Sequence, residues 1–391
     1  MRFVEKKSLL LEAYPVTCPA FFEKQYNLGT FRLLTDVRRM LAQFYLPRSM
    51  SPSRMDRYLA GGWFRSCSIF YRAKLICMDE RVYSVVNLRL PLTDYRFPKR
   101  LRKLYNRNNR RFRVEFGDLK ITKRKDDLYQ LQKTRFQGFT SNTLYEFFFV
   151  SDDFRDVFRT REVRVYDPET DQLVAVSFFD EGQQSLASLL AVYDPSYSRH
   201  SLGTYTMLLE VAYGQHHHKK FFYPGYTLDM PSSFDYKLRL KNLQFFTRKR
   251  RWANLDRLDE EVTFGQELRG SIETLETVFQ EEKIPYQRKI YPVFVLAYWE
   301  QLIHEQFLDT PIFLILSRDS ERVLLATYSL ENKEYQLIWA ELVEDYTLEE
   351  MNPSPEYLNS KVYFDRVLSY ESIALRTSTP AAIVAELRRF S

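Results

Sequence analysis

Between positions 223 and 237 the chain carries Tyr223, Tyr226, Tyr236 and Lys237, three phenols and an amine, and Asp194 stands upstream in Tyr-Asp-Pro. Moving an acyl group onto an amine needs a neutral amine in line with the carbonyl, a base beside it and a donor near the developing oxyanion. Asp194 is the candidate base, with Asp180 a second carboxylate at a strand end. Tyr223, Tyr226 and Tyr236 are candidate catalytic groups, and Lys237 a candidate binding group for an anionic part of a substrate. Tyrosines more often pack with the hydroxyl at the surface, and that reading stays open for each.

Between Asp194 and these residues runs SYSRHSLGTYTMLLEVAY, positions 196–213. Ser201 is a candidate N-cap, and Leu202, Tyr205, Leu209, Ala212 and Tyr213 fall largely on one helical face. A helix starting there turns free N–H groups and the positive end of its dipole outward, toward a phosphate. Ser201, Leu202, Gly203, Thr204 and Tyr205 are therefore candidate substrate-binding residues, with Gly203 allowing close approach. Gly225, in the strand FFYPGY that follows, joins them. His200 is placed to meet a phosphate or acyl oxygen, or is a turn residue with no role. An ordinary crossover helix between two strands has the same pattern. His216, His217 and His218 point in three directions if helical, so they read as a solvated helix end.

The segment RFPKRLRKLYNRNNRRFR, positions 96–113, has nine Lys/Arg and no Asp or Glu. Lys99, Arg100, Arg102, Lys103, Arg107, Arg110 and Arg111 are candidate contacts to nucleic-acid phosphates, with Phe97, Tyr105 and Phe112 free to stack on unpaired bases. A second cluster, RKRR, lies at 248–251. The bland alternative for each is a solvated face.

These residues need elements to hold them. RVYSVVNLRL alternates as a strand, and DDLYQLQKTRFQGF and SDDFRDVFRT have helical spacing with Asp at their starts. REVRVYDPETDQLVAVSFFDEGQQSLASLLAVYDP reads as three successive strands. Residues 1–60 read as mixed, with PRSMSPSRMD a turn-rich connector; 61–255 read as one α/β unit and 256–391 as a smaller α+β domain with a closing helix, PAAIVAELRRF. At 391 residues, 16% aromatic and with 11 glycines, the chain is globular rather than disordered. No apolar run spans a bilayer and no signal peptide is evident, so a cytoplasmic location without membrane attachment is expected. Cys18, Cys67 and Cys77 are widely separated and form no C-x-x-C pair.

The segments AVYDPSYSRHSLGTYTMLLEVAY and FFYPGYTLDMPSSFDYKLRL resemble the aminoacyl-tRNA–protein transferases, the arginyl- and leucyl-transferases that modify acidic N-termini. The resemblance rests on Tyr193, Asp194, Pro195, Ser201, Leu202, Gly203, Thr204, Tyr205, Tyr223, Gly225, Tyr226, Tyr236 and Lys237. Gly62, Trp63, Arg65, Ser66, Tyr71 and Arg72 match an earlier family segment, and the basic stretch falls where the family has one. The likeness covers about residues 10–252. It implies a GCN5-related acyltransferase-like mixed sheet with flanking helices, aminoacyl-tRNA as donor partner, and a protein or peptide N-terminus as acceptor partner. The seven cations of the first basic segment would then be tRNA contacts.

The departures are specific. The family's paired cysteines are reduced to Cys18 and Cys77, Cys67 stands where glycine is usual, Ala73 replaces a proline, and Phe234 replaces the methionine of Met-x-Tyr-Lys. No metal, cluster or other cofactor is expected. Two alternatives stay open: an acyl-CoA-dependent N-acyltransferase, against which the missing Arg/Gln-x-x-Gly-x-Gly/Ala loop counts, and a non-catalytic descendant that binds RNA or degrons. The amino acid transferred and the oligomeric state are not legible.

Overall fold

A computed structural model describes residues 41–133, 135, 141–149, 157–298, 306–347 and 360–390. In chain order it contains β1 (Ala42–Tyr45), α1 (Pro52–Ala60), β2 (Phe64–Ser66), β3 (Ile69–Ala73), β4 (Leu75–Met78) and β5 (Arg81–Pro91). Next come α2 (Lys99–Arg111), β6 (Arg113–Asp118), α3 (Lys123–Lys133), α4 (Leu144–Phe148), β7 (Thr160–Asp167), β8 (Gln172–Glu181) and β9 (Ser185–Tyr193). Then follow α5 (Leu202–His216), β10 (Phe221–Leu228), β11 (Gln244–Phe246), β12 (Trp252–Asn254) and α6 (Phe264–Glu281). The last elements are β13 (Gln287–Ile290), β14 (Ile312–Arg318), β15 (Arg322–Ser329), β16 (Glu334–Thr347), β17 (Arg366–Thr377) and α7 (Pro380–Phe390).

The chain divides into two compact units. One comprises Tyr45–Arg72 and Val86–Glu261, the other Ala73–Val85 and Val262 onward together with the residues before Tyr45.

The first unit is built on a mixed sheet in the order β12-β11-β5-β10-β9-β8-β7-β6. The three strands expected between Arg161 and Pro195 are β7, β8 and β9, paired antiparallel. Nearly all of β8 is buried because both faces of the sheet are covered. Val176 and Phe178 meet Leu128, Tyr129 and Phe148 of α3 and α4, while Val174 and Ala175 share a cluster with Leu202, Tyr205 and Leu209 of α5. The sheet with helices on both faces is the acyltransferase-like α/β arrangement expected from the sequence.

Strand β9 is followed by a 3-10 turn, then α5, then β10, which returns parallel to β9. That parallel pairing is brief. Phe221 pairs with Ser185, Phe222 with Leu186 and Tyr223 with Ala187, after which the register ends and Gly225 takes φ +93°. The two strands therefore run unpaired past this point, at the end of the sheet where α5 begins.

Two local expectations are corrected. PRSMSPSRMD is not a connector throughout: Ser51 caps α1 and Pro52 opens it, burying Met55 and Leu59. Helix α3 starts at Lys123, ahead of the aspartates, and the Asp126 carboxylate instead accepts a hydrogen bond at 2.7 Å from the Leu144 N–H at the start of α4. The helical reading of SDDFRDVFRT falls mostly outside the described residues.

The second unit carries an antiparallel sheet, β13-β14-β15-β16-β17, with α6 and α7 packed on it and on each other. The strands expected in TPIFLILS, RVLLATYSL and YQLIWAEL are β14, β15 and β16, and PAAIVAELRRF is α7. Tyr291, Phe313 and Phe364 meet ring to ring in its core.

Candidate active site

Helix α5 starts without the expected side-chain cap. Ser201 lies in the left-handed region at φ 53°, ψ 48°, and its hydroxyl caps no helix N–H. The turn ahead of it is held instead by Asp194, which accepts from the Ser196 N–H at 3.0 Å and hydroxyl at 2.7 Å, and by Asn108 of α2, whose amide donates to the His200 carbonyl at 2.8 Å. First-turn N–H groups have no intrahelical partners, so they face outward here unanswered by a cap. Burial lowers the pKa of His200, and the positive charges of Arg111, Arg199 and Arg107 lower it further, so the imidazole is neutral at pH 7. Three guanidinium groups thus act on His200, opposed by the Asp167 carboxylate.

At the other side of the parted strands lies an aromatic enclosure. The Lys237 ammonium sits 4.8 Å from the Phe234 ring centre, 5.3 Å from Tyr226 and 5.8 Å from Tyr236, and donates to the Tyr226 carbonyl at 2.8 Å. A Cβ on Gly225 would come within 3.3 Å of this nitrogen, so glycine there leaves the amine its place and supplies the positive φ. Lys237 makes no ion pair among the described residues, and burial pushes its pKa down to about 7. Burial likewise raises the Tyr226 phenol to about 12, whereas Tyr236 is 44% exposed. An amine with no ion-pair partner among the described residues, held among aromatic rings, suits an anionic group.

Residues 112–247, which hold β6 to β11 with the α5 turn and the lysine enclosure, match the family described as arginine-tRNA-protein transferase, C terminus. This region is similar to the C-terminal part of the arginine-tRNA-protein transferases. An aspartate/glutamate leucyltransferase of Leptospira interrogans is 23% identical over 261 residues, covering 63% of this chain and 94% of that protein. One from Shewanella sp. (strain MR-7) is 27% identical over 205 residues, 51% of this chain and 81% of its own. Among solved structures, L-PGS from Bacillus licheniformis aligns at 13% identity and TM-score 0.30 over 46% of this chain and 52% of that one. FemX aligns at 10% identity and TM-score 0.31 over 46% and 61%. These alignments span about half of those chains.

In the first unit, α2 presents Lys99, Arg100, Arg102, Lys103, Arg107 and Arg110 to solvent, while Leu101 and Asn108 face inward. Arg111 is partly exposed and lies 3.9 Å from Asp167. The aromatics expected to stack on bases do not: Phe97 packs on Tyr105 at 5.2 Å, Tyr105 on Tyr205 at 6.3 Å, and Phe112 is 5% exposed. Phe97 and Tyr105 are half-buried by this packing, and the exposed face of α2 carries the cations together with Asn106 and Asn109. Lys249, Arg250 and Arg251 of the second cluster are exposed on a turn between β11 and β12.

The other candidates are placed as follows. Leu202 and Tyr205 are wholly buried, with the Tyr205 hydroxyl donating to Asn109 at 2.5 Å, so they anchor α5 beneath the turn while Ser201, Gly203 and Thr204 remain partly open. Asp194 is a poor base as placed: burial would raise its pKa, but the Ser196 bonds and Arg124 at 3.4 Å outweigh this and hold it ionised and occupied. Asp180 is also committed, to Arg65 at 2.6 Å and Thr160 at 2.6 Å in a buried ion pair. Tyr223 is buried, its hydroxyl hydrogen-bonded to Arg89 away from the Lys237 enclosure. His216, His217 and His218 are exposed at the end of α5. Cys67 and Cys77 are buried and in no disulfide among the described residues, and Cys18 lies outside the described residues. Among the described residues no three metal-ligating side chains come together, and no helix is long and apolar enough to cross a membrane.

Sequence reasoning passed over Glu210. It lies inside α5, 0% exposed, hydrogen-bonded to Ser177 of β8 and Ser188 of β9. Glutamate in a run of helix formers gives no signal of its own; the only hint was a charge on what should be the buried face of α5.

Proposed function

We propose that this enzyme transfers an aminoacyl group from aminoacyl-tRNA to the N-terminal amine of a protein or peptide whose first residue is acidic. The observation that carries the reading is the uncapped first turn of α5, with three guanidinium groups acting on His200 ahead of it, opening beside the point where β9 and β10 part. The cationic face of α2 binds the phosphates of the tRNA, and the terminal phosphates of its acceptor end settle on the α5 turn through the N–H groups of Gly203 and Thr204. The ester carbonyl then lies between the separated strands. Ester to amide is downhill, so catalysis consists mainly of holding a neutral amine in line with the carbonyl. The Lys237 ammonium in its aromatic enclosure pairs with the acidic first side chain of the acceptor, a contact strengthened by the low local dielectric. Tyr226, a phenol kept protonated by burial, and Tyr236 are donors for the developing oxyanion.

The test is transfer of a radiolabelled aminoacyl group from charged tRNA to peptides that differ only in their first residue. Label on Asp- or Glu-initiated peptides, little on Ala-initiated ones and none from acyl-CoA is the expected pattern. Acylation from acyl-CoA would replace this reading with an ordinary N-acyltransferase, and tRNA binding without transfer would leave a binding protein.

A further inference from the structure

A cavity of about 580 Å³ lies in the first unit and shares no residue with the Lys237 enclosure. It opens between the start of α3, the end of β7 and the start of β8. Its cations are Lys120 ahead of α3, Arg124 and Lys125 in the first turn of α3, and Arg164 of β7, with Tyr166 and Leu173 adding apolar surface. Lys120 and Gln172 are exposed, and Arg124 and Arg164 partly so, which leaves the cavity accessible from solvent.

Part of this charge is already committed. Lys125 is 3% exposed and directs its ammonium to both Glu162 oxygens, at 2.5 and 2.6 Å, and to the Lys120 carbonyl at 2.6 Å. Arg124 donates to the Leu173 carbonyl at 3.2 and 3.0 Å and to Asp194 at 3.4 Å. Asp171, the single carboxylate among the described lining residues, is turned to Arg113. Two cations are left over. The Lys120 ammonium makes no ion pair or hydrogen bond among the described residues. Arg164 lies 3.5 Å from Glu115 and 3.5 Å from Glu162, yet its buried Nε has no hydrogen-bond partner among the described residues. A buried guanidinium N–H without an acceptor is costly, and an arriving oxyanion satisfies it.

The cavity also adjoins the elements given to tRNA above. At the end of α2, Arg111 stands 3.9 Å from Asp167, the neighbour of the lining Tyr166, and Arg124 joins the cavity wall to Asp194, where the turn ahead of α5 begins. We propose that this cavity is a second phosphate subsite for RNA, in which Lys120 and Arg164 hold one backbone phosphate and its nucleotide lies against Tyr166 and Leu173. The inference rests on the reading of aminoacyl-tRNA as donor and carries its path from α2 past the α5 turn. An acidic peptide offers the same oxyanion, but a carboxylate fills a small part of such a volume, whereas a nucleotide is of its size.

Lys120→Gln is the first variant, because that side chain holds nothing in the fold, and Arg164→Gln is the second. Affinity for uncharged tRNA is measured over a series of salt concentrations, and each variant is expected to lower the log–log slope by about 0.7–0.9, the loss of one phosphate contact. Acetylation of lysine amines by an N-hydroxysuccinimide ester, read at each residue by mass spectrometry, locates that contact. Uncharged tRNA should shield Lys120 in the wild type, and an Asp-initiated peptide should not. Wild-type slopes in both folded variants, or a Lys120 that tRNA leaves unshielded, would overturn the subsite. Shielding by the peptide alone would overturn the RNA assignment and give the cavity to the acceptor. Shielding by tRNA without any aminoacyl transfer keeps the subsite and removes the proposed reaction; transfer with neither effect keeps the reaction and removes the subsite.

Discussion

Two buried ionisable side chains set opposite demands on stability, and each can be read by titration. Lys237 has a folded pKa of about 7 against 10.5 in the unfolded chain, so folding at or below pH 7 bears the full cost of burying its charge, and stability recovers as pH rises from about 7 to 10.5. Lys237→Met is expected to be more stable than the wild type at pH 6 by an amount on the order of a few kcal/mol, and the difference should shrink above pH 7. Glu210 runs the other way. Its pKa rises from 4.5 to about 8 on folding, so its contribution is whole below about pH 4.5 and is lost as pH climbs through 8. Glu210→Gln should flatten the fall in stability between those limits, against Ser177 and Ser188 as the groups that face it. Urea melts across pH 4 to 10 check both; parallel curves for wild type and variant would show that the site does not bury these charges. Of the two residues, Lys237 was legible because it sits in a recognisable Tyr-Lys segment, whereas Glu210 was not, since its meaning comes from the serines of two other strands.

Helix α2 and the start of α5 are the elements that decide binding. Replacing Arg100, Arg102, Arg107 and Arg110 with glutamine should weaken tRNA binding and flatten its log–log salt dependence by about 3 units of slope, since each lost phosphate contact retains about 0.7–0.9 of a counterion. A slope equal to that of the wild type would remove this face from the interface. The cations of α2 could be listed from the sequence because charge needs no partner to be visible. The aromatics between them were misread because a helix turns Tyr105 and Leu101 inward together, toward α5. At the α5 turn, a Cβ on Gly203 would meet only the Tyr193 ring, at 3.5 Å, an ordinary contact. Gly203→Val should therefore fold, with helix content by circular dichroism intact, while its branches crowd the first turn and reduce donor affinity by roughly tenfold or more. Wild-type affinity in that variant would make α5 a simple crossover. Ser201→Ala, by contrast, should leave stability almost unchanged, since no cap is lost.

Over the whole molecule the net charge is only +6, yet exposed cations cluster on α2 and on the β11–β12 turn, and each cluster favours the approach of a polyanion. The order of strands β7, β8 and β9 was readable because turn-forming clusters punctuate continuous apolar runs. One boundary between the units was not: it falls inside β5, a single 11-residue strand with no break in its pattern, whereas the one after Glu261 lies near the expected end of the α/β unit at 255. With no three metal-ligating side chains together among the described residues, chelation should leave the melting temperature unchanged, and one equivalent of zinc or iron by elemental analysis would contradict that. One feature at the α5 turn reaches beyond any single assay. Ser201 holds a left-handed backbone that costs a side-chain-bearing residue about 1 kcal/mol and glycine almost nothing. Position 201 is therefore a place where two kinds of selection diverge. A library screened for survival on heating should drift to glycine there, while one screened for transfer should keep whatever residue orients the first N–H groups best. Sequencing both pools would reveal which pressure shaped this turn.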